Sequence, residues 1–289
     1  MLSIVGMVIV VAMVFGGYLA AGGKIGIILQ ALPFEMMMIG GAAAGAFLLA
    51  NPPALLKAVM RDLKTVFSGV RWHADDYRDL LCLLHALIKL GRRDPVALET
   101  HVEAPGESPI FQAYPKILAD KEAVPIVCDT LRLTGMSFDD PNQLEDLLQR
   151  QLDARLRHAL APSHAVQTMA DGLPALGIVA AVLGIIKTMA SIDQPPEILG
   201  KMIGGALVGT FLGVFLAYGF VAPMASRLKE IAEEDHEFYV LIRDTLVANL
   251  HKHSTNVCVE IARQNISGHG RPSFDALDEA LKAAPPEAA

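Results

Sequence analysis

The sequence predicts an all-α, polytopic membrane protein with four transmembrane helices and a large helical cytoplasmic loop. Three observations predict it. Four stretches carry almost no charge over lengths that suit a bilayer. Of the 289 residues, 53% are hydrophobic and only 19% charged, with mean hydropathy +0.41. A soluble domain has about a quarter of its residues charged, so this shortfall needs a bilayer or an outsized core. Strand signals are scarce.

A helix crossing the hydrocarbon core needs about 20 apolar residues. Residues 2–21 contain no charge and form the first span. They lack the basic leader of a signal peptide, so an uncleaved first helix is the better reading. Residues 34–50 form the second span, with Glu35 at its very start as the one charge. Residues 173–191 form the third, with Lys187 alone, and residues 202–224 the fourth, with none. Buried helices of soluble proteins keep a polar stripe; these runs do not.

Lys and Arg near span ends set orientation. Lys57, Arg61 and Lys64 follow the second span, Arg150, Arg155 and Arg157 precede the third, and Arg227 and Lys229 follow the fourth. The two short connections hold only Lys24 and Lys201. The segment 52–170 and the tail are therefore cytoplasmic, as are both termini. Lys187, about one turn from the outer end of its span, can snorkel to the interface. Four regions follow: a hairpin of two spans (1–51), a cytoplasmic helical domain (52–170), a second hairpin (171–225), and a C-terminal helix and tail (226–289). Within the cytoplasmic parts, residues 76–90, 141–160 and 225–266 keep helical spacing. Pro115 starts or kinks a helix, and the closing AAPPEAA should be disordered.

Composition excludes several functions. A net charge of −7 implies no general nucleic-acid affinity. Cys82, Cys128 and Cys258 are far apart, without metal-ligand spacing, and read as packed, reduced thiols. No CxxC, HExxH, P-loop or GxSxG pattern occurs. Neither a cofactor nor an enzyme activity is implied.

The last two spans carry the remaining information. Gly205, Gly209, Gly213 and Ala217 recur every four residues, and Gly177, Ala181 and Gly184 give the third span a similar face. Small residues let helix backbones approach in lipid, and a packing face suffices to explain them. Thr188 and Thr210 either bond their own helix backbone or line a polar path. Pro174 reads as a first-turn proline of the third span, and Pro223 as a kink or stop in the fourth. Both then lie at one depth, near the cytoplasmic face. With Glu35 at the start of its run, no acid occupies the middle of any span. Ion-conducting proteins usually place an ionisable group inside the membrane, so a conducting chain would take its acid from a second protein.

The stretch DGLPALGIVAAVLGIIKTMASIDQPPEILGKMIGGALVGTFLGVFLAYGFVAPMA, residues 171–225, resembles the core of the MotA family of flagellar motor stator subunits, part of the MotA/TolQ/ExbB proton channel family. ESPIFQAYPKILAD and RPSFDALDEA resemble it too, and the order of spans is the family's. The resemblance implies a ring, a pentamer, around a MotB-like single-span subunit that is anchored to peptidoglycan and supplies the membrane Asp. It implies a pore-lining role for 171–225 and contact of the cytoplasmic loop with the rotor protein FliG. Pro174 and Pro223 occupy the family's two functionally important proline positions, and Thr210 its pore-facing threonine. The family's rotor contact pairs an Arg with a Glu eight residues on. Here Glu99 matches the acid, but Gly91 stands in place of the Arg. Lys89, Arg92 and Arg93 are displaced around it, with Arg92 nearest and Arg93 next; a solvated loop end is the alternative. H⁺ is favoured over Na⁺ as the coupling ion. An ExbB/TolQ-type channel subunit and a membrane scaffold without ion flux are the other readings.

Overall fold

The computed structural model describes residues 2–136, 138 and 140–283. All but one of the AAPPEAA residues therefore lie outside the described part. In chain order the helices are α1 (Leu2–Ala20), α2 (Ile25–Ala50), α3 (Pro53–Asp62), α4 (Thr65–Ser68) and α5 (Ala74–Arg93). Next come α6 (Pro95–Glu103), α7 (Pro109–Gln112), α8 (Pro115–Leu118), α9 (Ala123–Gly135) and α10 (Pro141–Met189). Then α11 (Pro196–Leu216) runs through a π turn, Ala217–Val221, into α12 (Ala222–Leu250), followed by α13 (Thr255–Asn265) and α14 (Phe274–Ala283). Among the described residues there is no strand, and four helices are long and apolar enough to cross a membrane.

The chain divides into two compact units. One holds residues up to Gly69 and His158–Ala232; the other holds Val70–Arg157 and everything from Glu233 on.

The first unit contains the spans. In α1, Leu2, Val8 and Met13 stand exposed and no residue is buried, as a lipid-facing helix requires. It ends where Gly22 adopts a left-handed conformation (φ +81°), which costs glycine nothing. Gly22 N–H then donates to the Leu19 carbonyl and Gly23 N–H to that of Tyr18, closing a Schellman cap.

Helix α2 corrects the sequence reading. It begins at Ile25, not Phe34, and runs 26 residues with Pro33 inside it. A proline lacks an N–H and strains the preceding turn; here the helix absorbs it. Glu35 is consequently the eleventh residue of the span rather than its second. A span does carry an acid near its middle, against the expectation that none would.

Helix α10 shows a second difference. Pro174 is not in a first turn, because the helix has run continuously from Pro141. Nor does Pro223 stop the chain. It follows the π turn, in which Ala222 N–H donates to the Ala217 carbonyl, five residues back. The wider turn accommodates a proline that leaves the Gly219 carbonyl without its usual helix partner.

In the second unit, α5 is the central helix: Leu80, Leu81, Leu83, Leu84 and Leu87 are fully buried. It starts with a capping box, His73 N–H donating to Asp76 Oδ2 at 2.8 Å, with Asp75 and Asp76 in its first turn and Arg92 and Arg93 in its last. Those charges suit the helix dipole at both ends. Around α5 pack Val127 of α9, Leu144, Leu148 and Leu152 of α10, Ile242 and Leu246 of α12, and Cys258 and Val259 of α13. Trp72 stacks on Phe238 with centroids 3.8 Å apart. Cys82, Cys128 and Cys258 are free and buried in this core. Burial pushes the Cys82 and Cys128 thiols up to about 11, which keeps them unreactive at neutral pH.

The two short motifs are structural here. Ser108 and Pro109 cap and start α7, and Pro115 starts α8. Ser273 Oγ accepts from Ala276 N–H to begin α14, whose Leu277 is buried in the core. The amphipathic pattern of 225–266 is interrupted at 251–254, where Lys252 takes φ 65°.

Candidate functional site: a membrane cavity and a charged groove

The membrane unit is built on the crossing of α10 and α11. A Cβ on Gly177 would lie 2.8 Å from the Gly209 carbonyl oxygen and 3.0 Å from Gly213 Cα. One on Gly213 would lie 2.7 Å from the Leu173 carbonyl oxygen and 2.8 Å from Gly177 Cα. The backbones touch, as small-residue faces allow in lipid. Gly184 meets Ala206 in the same way, whereas Gly205 has open space around it.

This crossing also fixes depth. Gly177 is level with Gly213, and Ser163, whose hydroxyl donates to the Ala225 carbonyl at 2.8 Å, is level with Ala225. At 1.5 Å per residue, Pro174 lies about 4.5 Å and Pro223 about 15 Å from the Gly177–Gly213 level. The two prolines do not share one depth. Pro174 is half-buried and Pro223 exposed.

Toward the other end of the spans, α2, α10 and α11 enclose a cavity of about 490 Å³. Thr188, Lys187, Lys201, Gln30 and Glu35 line it. The buried Thr188 hydroxyl donates to the Gly184 carbonyl at 2.9 Å, so its proton serves its own helix while its oxygen keeps acceptor capacity. Thr210 is half-buried on α11, next to Gly209, and is not among the cavity-lining residues. The structure thus brings Thr188, but not Thr210, to this cavity. Sequence reading passed over Glu35 because the span was started nine residues late.

The charged residues lie at the α5–α6 corner of the second unit. Asp94 caps α6 by accepting from Ala97 N–H at 3.0 Å, and Pro95 follows at its first position. A Cβ on Gly91 would come 2.7 Å from Leu98 Cδ2, the end of a flexible side chain, where α6 folds against α5. Arg92 is committed elsewhere. Its guanidinium donates to Asn249 Oδ1 at 3.0 and 2.6 Å and to the His253 carbonyl, tying down the end of α12. Arg92 and Glu99 both line a groove of about 810 Å³ with Glu103, Arg132 and Lys252. Lys89 and Arg93 are exposed and lie outside that groove. Among the described residues no group of three His, Cys, Asp or Glu could hold a metal ion.

Comparison with known proteins agrees with this architecture. Residues 4–95 match the family described as Motility protein A N-terminal, and residues 121–239 the MotA/TolQ/ExbB proton channel family. Motility protein A of Salmonella typhimurium is 37% identical over 284 residues, covering 98% of this chain and 96% of that protein. Motility protein A of Escherichia coli is 36% identical over the same shares. Chemotaxis protein LafT of Vibrio parahaemolyticus is 35% identical over 97% of this chain and 98% of its own. The fold is shared with the solved MotAB of C. jejuni (TM-score 0.73, 19% identity, 94% of this chain and 98% of that one). It is shared too with the flagellar MotAB stator complex from Bacillus subtilis (TM-score 0.72, 19% identity, 95% and 99%). With matches this long at such identity, the chain belongs to the motility protein A family of membrane channel proteins.

Proposed function

We propose that this chain is the channel-ring subunit of a flagellar motor stator, coupling proton flow across the inner membrane to torque on the rotor. The observation that carries the reading is the end-to-end likeness to Motility protein A, 37% identity over 98% of the chain. The solved relatives are MotAB assemblies, which supports a MotB-like, single-span, peptidoglycan-anchored partner. In this reading several copies, a pentamer, surround that partner, both termini are cytoplasmic, and residues 52–170 present the surface that meets FliG. The hairpin 171–225 lines the pore.

The physics is that of a charge moved through a field. One proton crossing 100 mV releases about 2.3 kcal/mol, enough to bias a conformational step. Burial in an apolar ring disfavours the charged form of the partner's carboxyl, so proton arrival and departure change its fit against Thr188, Thr210 and the proline-bearing turns. Pro174 and Pro223 each leave one helix carbonyl unpaired, which makes those turns the easiest places for α10 and α12 to bend. The motion reaches the rotor through the charged corner at Lys89, Arg93 and Glu99.

Expressed with its partner in a motile strain that lacks its own stator, the chain restores swimming; no restoration with both proteins in the membrane counts against the reading. The Pro174→Ala, Pro223→Ala double variant inserts normally and loses motility, and normal swimming would remove the proline role. Lys89→Glu with Arg93→Glu reduces swimming speed without altering membrane levels. Arg92→Glu instead lowers the amount of protein, because Arg92 holds the end of α12. The ExbB/TolQ alternative is not favoured, since residues 4–95 match the Motility protein A N-terminal family.

A further inference from the structure

Glu35 is used by nothing above, and its surroundings are unusual. It sits eleventh in the 26 residues of α2 and only 5% of its surface is exposed. Its Oε2 has no hydrogen-bond partner among the described residues. Gly209 of α11 makes room for it: a Cβ there would stand 2.6 Å from that oxygen, and 3.2 Å from Ala180 Cβ of α10. An ionised carboxylate held this way, without a donor, costs several kcal/mol. Such a group persists where its charge comes and goes.

The cavity of about 490 Å³ gives it a route to the outside. Glu35 lines that cavity together with Gln30 of its own helix, Lys187 and Thr188 near the end of α10, and Lys201 near the start of α11. The two lysines are the charged groups that face the cavity besides Glu35, among the described residues. They stand where the sequence places the outer interface. The Thr188 oxygen and the Gln30 amide offer water an acceptor and a donor along the wall. The space is ample for ordered water, which occupies about 30 Å³ per molecule.

We propose that Glu35 is a proton-relay carboxyl belonging to this chain, loaded from the outer side through the α2–α10–α11 cavity. A hydronium in the cavity gives its proton to the carboxylate, leaving a water and a neutral carboxylic acid. On release the proton passes back to a water, and the carboxylate is restored. One carboxylate is too few oxygens to hold a metal cation. Proton transfer needs only a hydrogen-bonded water. The proposal rests on the channel reading and adds a second acid to the path, beyond the one a partner supplies.

The test uses the chain and its single-span partner, purified together and reconstituted in vesicles, with proton uptake followed under an imposed potential. Glu35→Gln preserves shape and removes the exchangeable charge. It assembles with the partner and lowers proton flux by about tenfold or more, whereas Glu35→Asp restores most of it. Flux of Glu35→Gln equal to wild type overturns the relay and leaves the channel reading intact. A wild-type complex that carries no protons overturns the channel reading and the relay with it. Should Glu35→Gln not assemble, the wild-type complex is treated with dicyclohexylcarbodiimide, which couples to protonated carboxyls in apolar surroundings. An N-acylurea on Glu35, formed in step with loss of flux, supports the relay. No adduct on Glu35, or an adduct with flux unchanged, overturns it.

Discussion

Gly213→Val and Gly177→Val each abolish swimming, and the assembled complex falls to a small fraction of its normal amount. The reason lies in what the added atoms meet. At Gly177 the first new carbon would fall 2.8 Å from a carbonyl oxygen and 3.0 Å from a Cα; at Gly213 the distances are 2.7 and 2.8 Å. All four contacts are with backbone, which cannot rotate away as a side chain can. The helices must separate, and in lipid no hydrophobic force draws them back, because the acyl chains are as apolar as the faces they would cover. What is lost is dispersion contact along the whole crossing. An overpacked core costs about 1–3 kcal/mol, and a backbone clash in an already close crossing belongs at the top of that range. Gly205→Ala is the control. Nothing lies within 4 Å of its added carbon, although Gly205 belongs to the same four-residue repeat. Swimming assays with membrane immunoblots decide the matter. If Gly213→Val swims, the close crossing is not what holds the hairpin.

That contrast shows what a repeat of small residues reveals and what it conceals. The spacing of Gly205, Gly209, Gly213 and Ala217 marks a packing face, and three of these positions do pack. Which glycine carries the contact depends on the register of α11 against α10, a property of two helices that neither helix encodes alone. The same register explains the prolines. Pro174 and Pro223 looked level because each stood near the edge of an apolar run, but the helices extend well past those runs and the crossing sets their depths apart.

Charge marked four apolar runs that each fall within a helix long enough to cross a membrane, but not where all of those helices begin and end. Helix α1 and the C-terminal end of α10 fall near where apolar sequence begins or ends, since burying a charge in lipid is costly. Helix α2 starts nine residues before its apolar run, and the local cost of Pro33 inside it yields to the need to satisfy every backbone group inside a membrane. That misplaced boundary put Glu35 at the start of its span. In the other unit, Arg92 is singled out as the basic residue nearest to Gly91, where the family has its Arg. Its hydrogen bonds run to Asn249 and His253, more than 150 residues on, a pairing only the folded chain displays. The Thr188 hydroxyl is the reverse case. Its bond to the Gly184 carbonyl is local, four residues back, and was legible from the start as one of two readings.

Asp120→Ala destabilises the second unit by about 3–5 kcal/mol, the cost expected when a buried charge network loses its central member. Asp120 is 2% exposed and ends the ESPIFQAYPKILAD stretch. Its Oδ1 accepts from the backbone N–H groups of Glu122 and Ala123, at 2.9 and 2.6 Å, at the start of α9. The Tyr239 hydroxyl of α12 donates to the carboxylate at 3.2 Å, and Arg71 pairs with it at 2.5 Å. Removing the carboxylate leaves a buried hydroxyl and a buried N–H without partners, each costing about 1–3 kcal/mol. The Arg71 guanidinium adds little, because it is half exposed and can turn to water. Tyr239 cannot, being fixed in the core with the Arg155 guanidinium 3.4 Å from its ring centroid. Asp120→Asn keeps an oxygen for the two N–H groups and should lose about half as much. Tyr239→Phe removes one bond and should lose about 1 kcal/mol. At a fixed heating rate, the unfolding midpoint of the detergent-solubilised complex falls by roughly 10 °C for Asp120→Ala, by less for Asp120→Asn and least for Tyr239→Phe. If the alanine variant melts with the wild type, Asp120 is a spectator. The join between α9 and α12 would then depend on the apolar core alone.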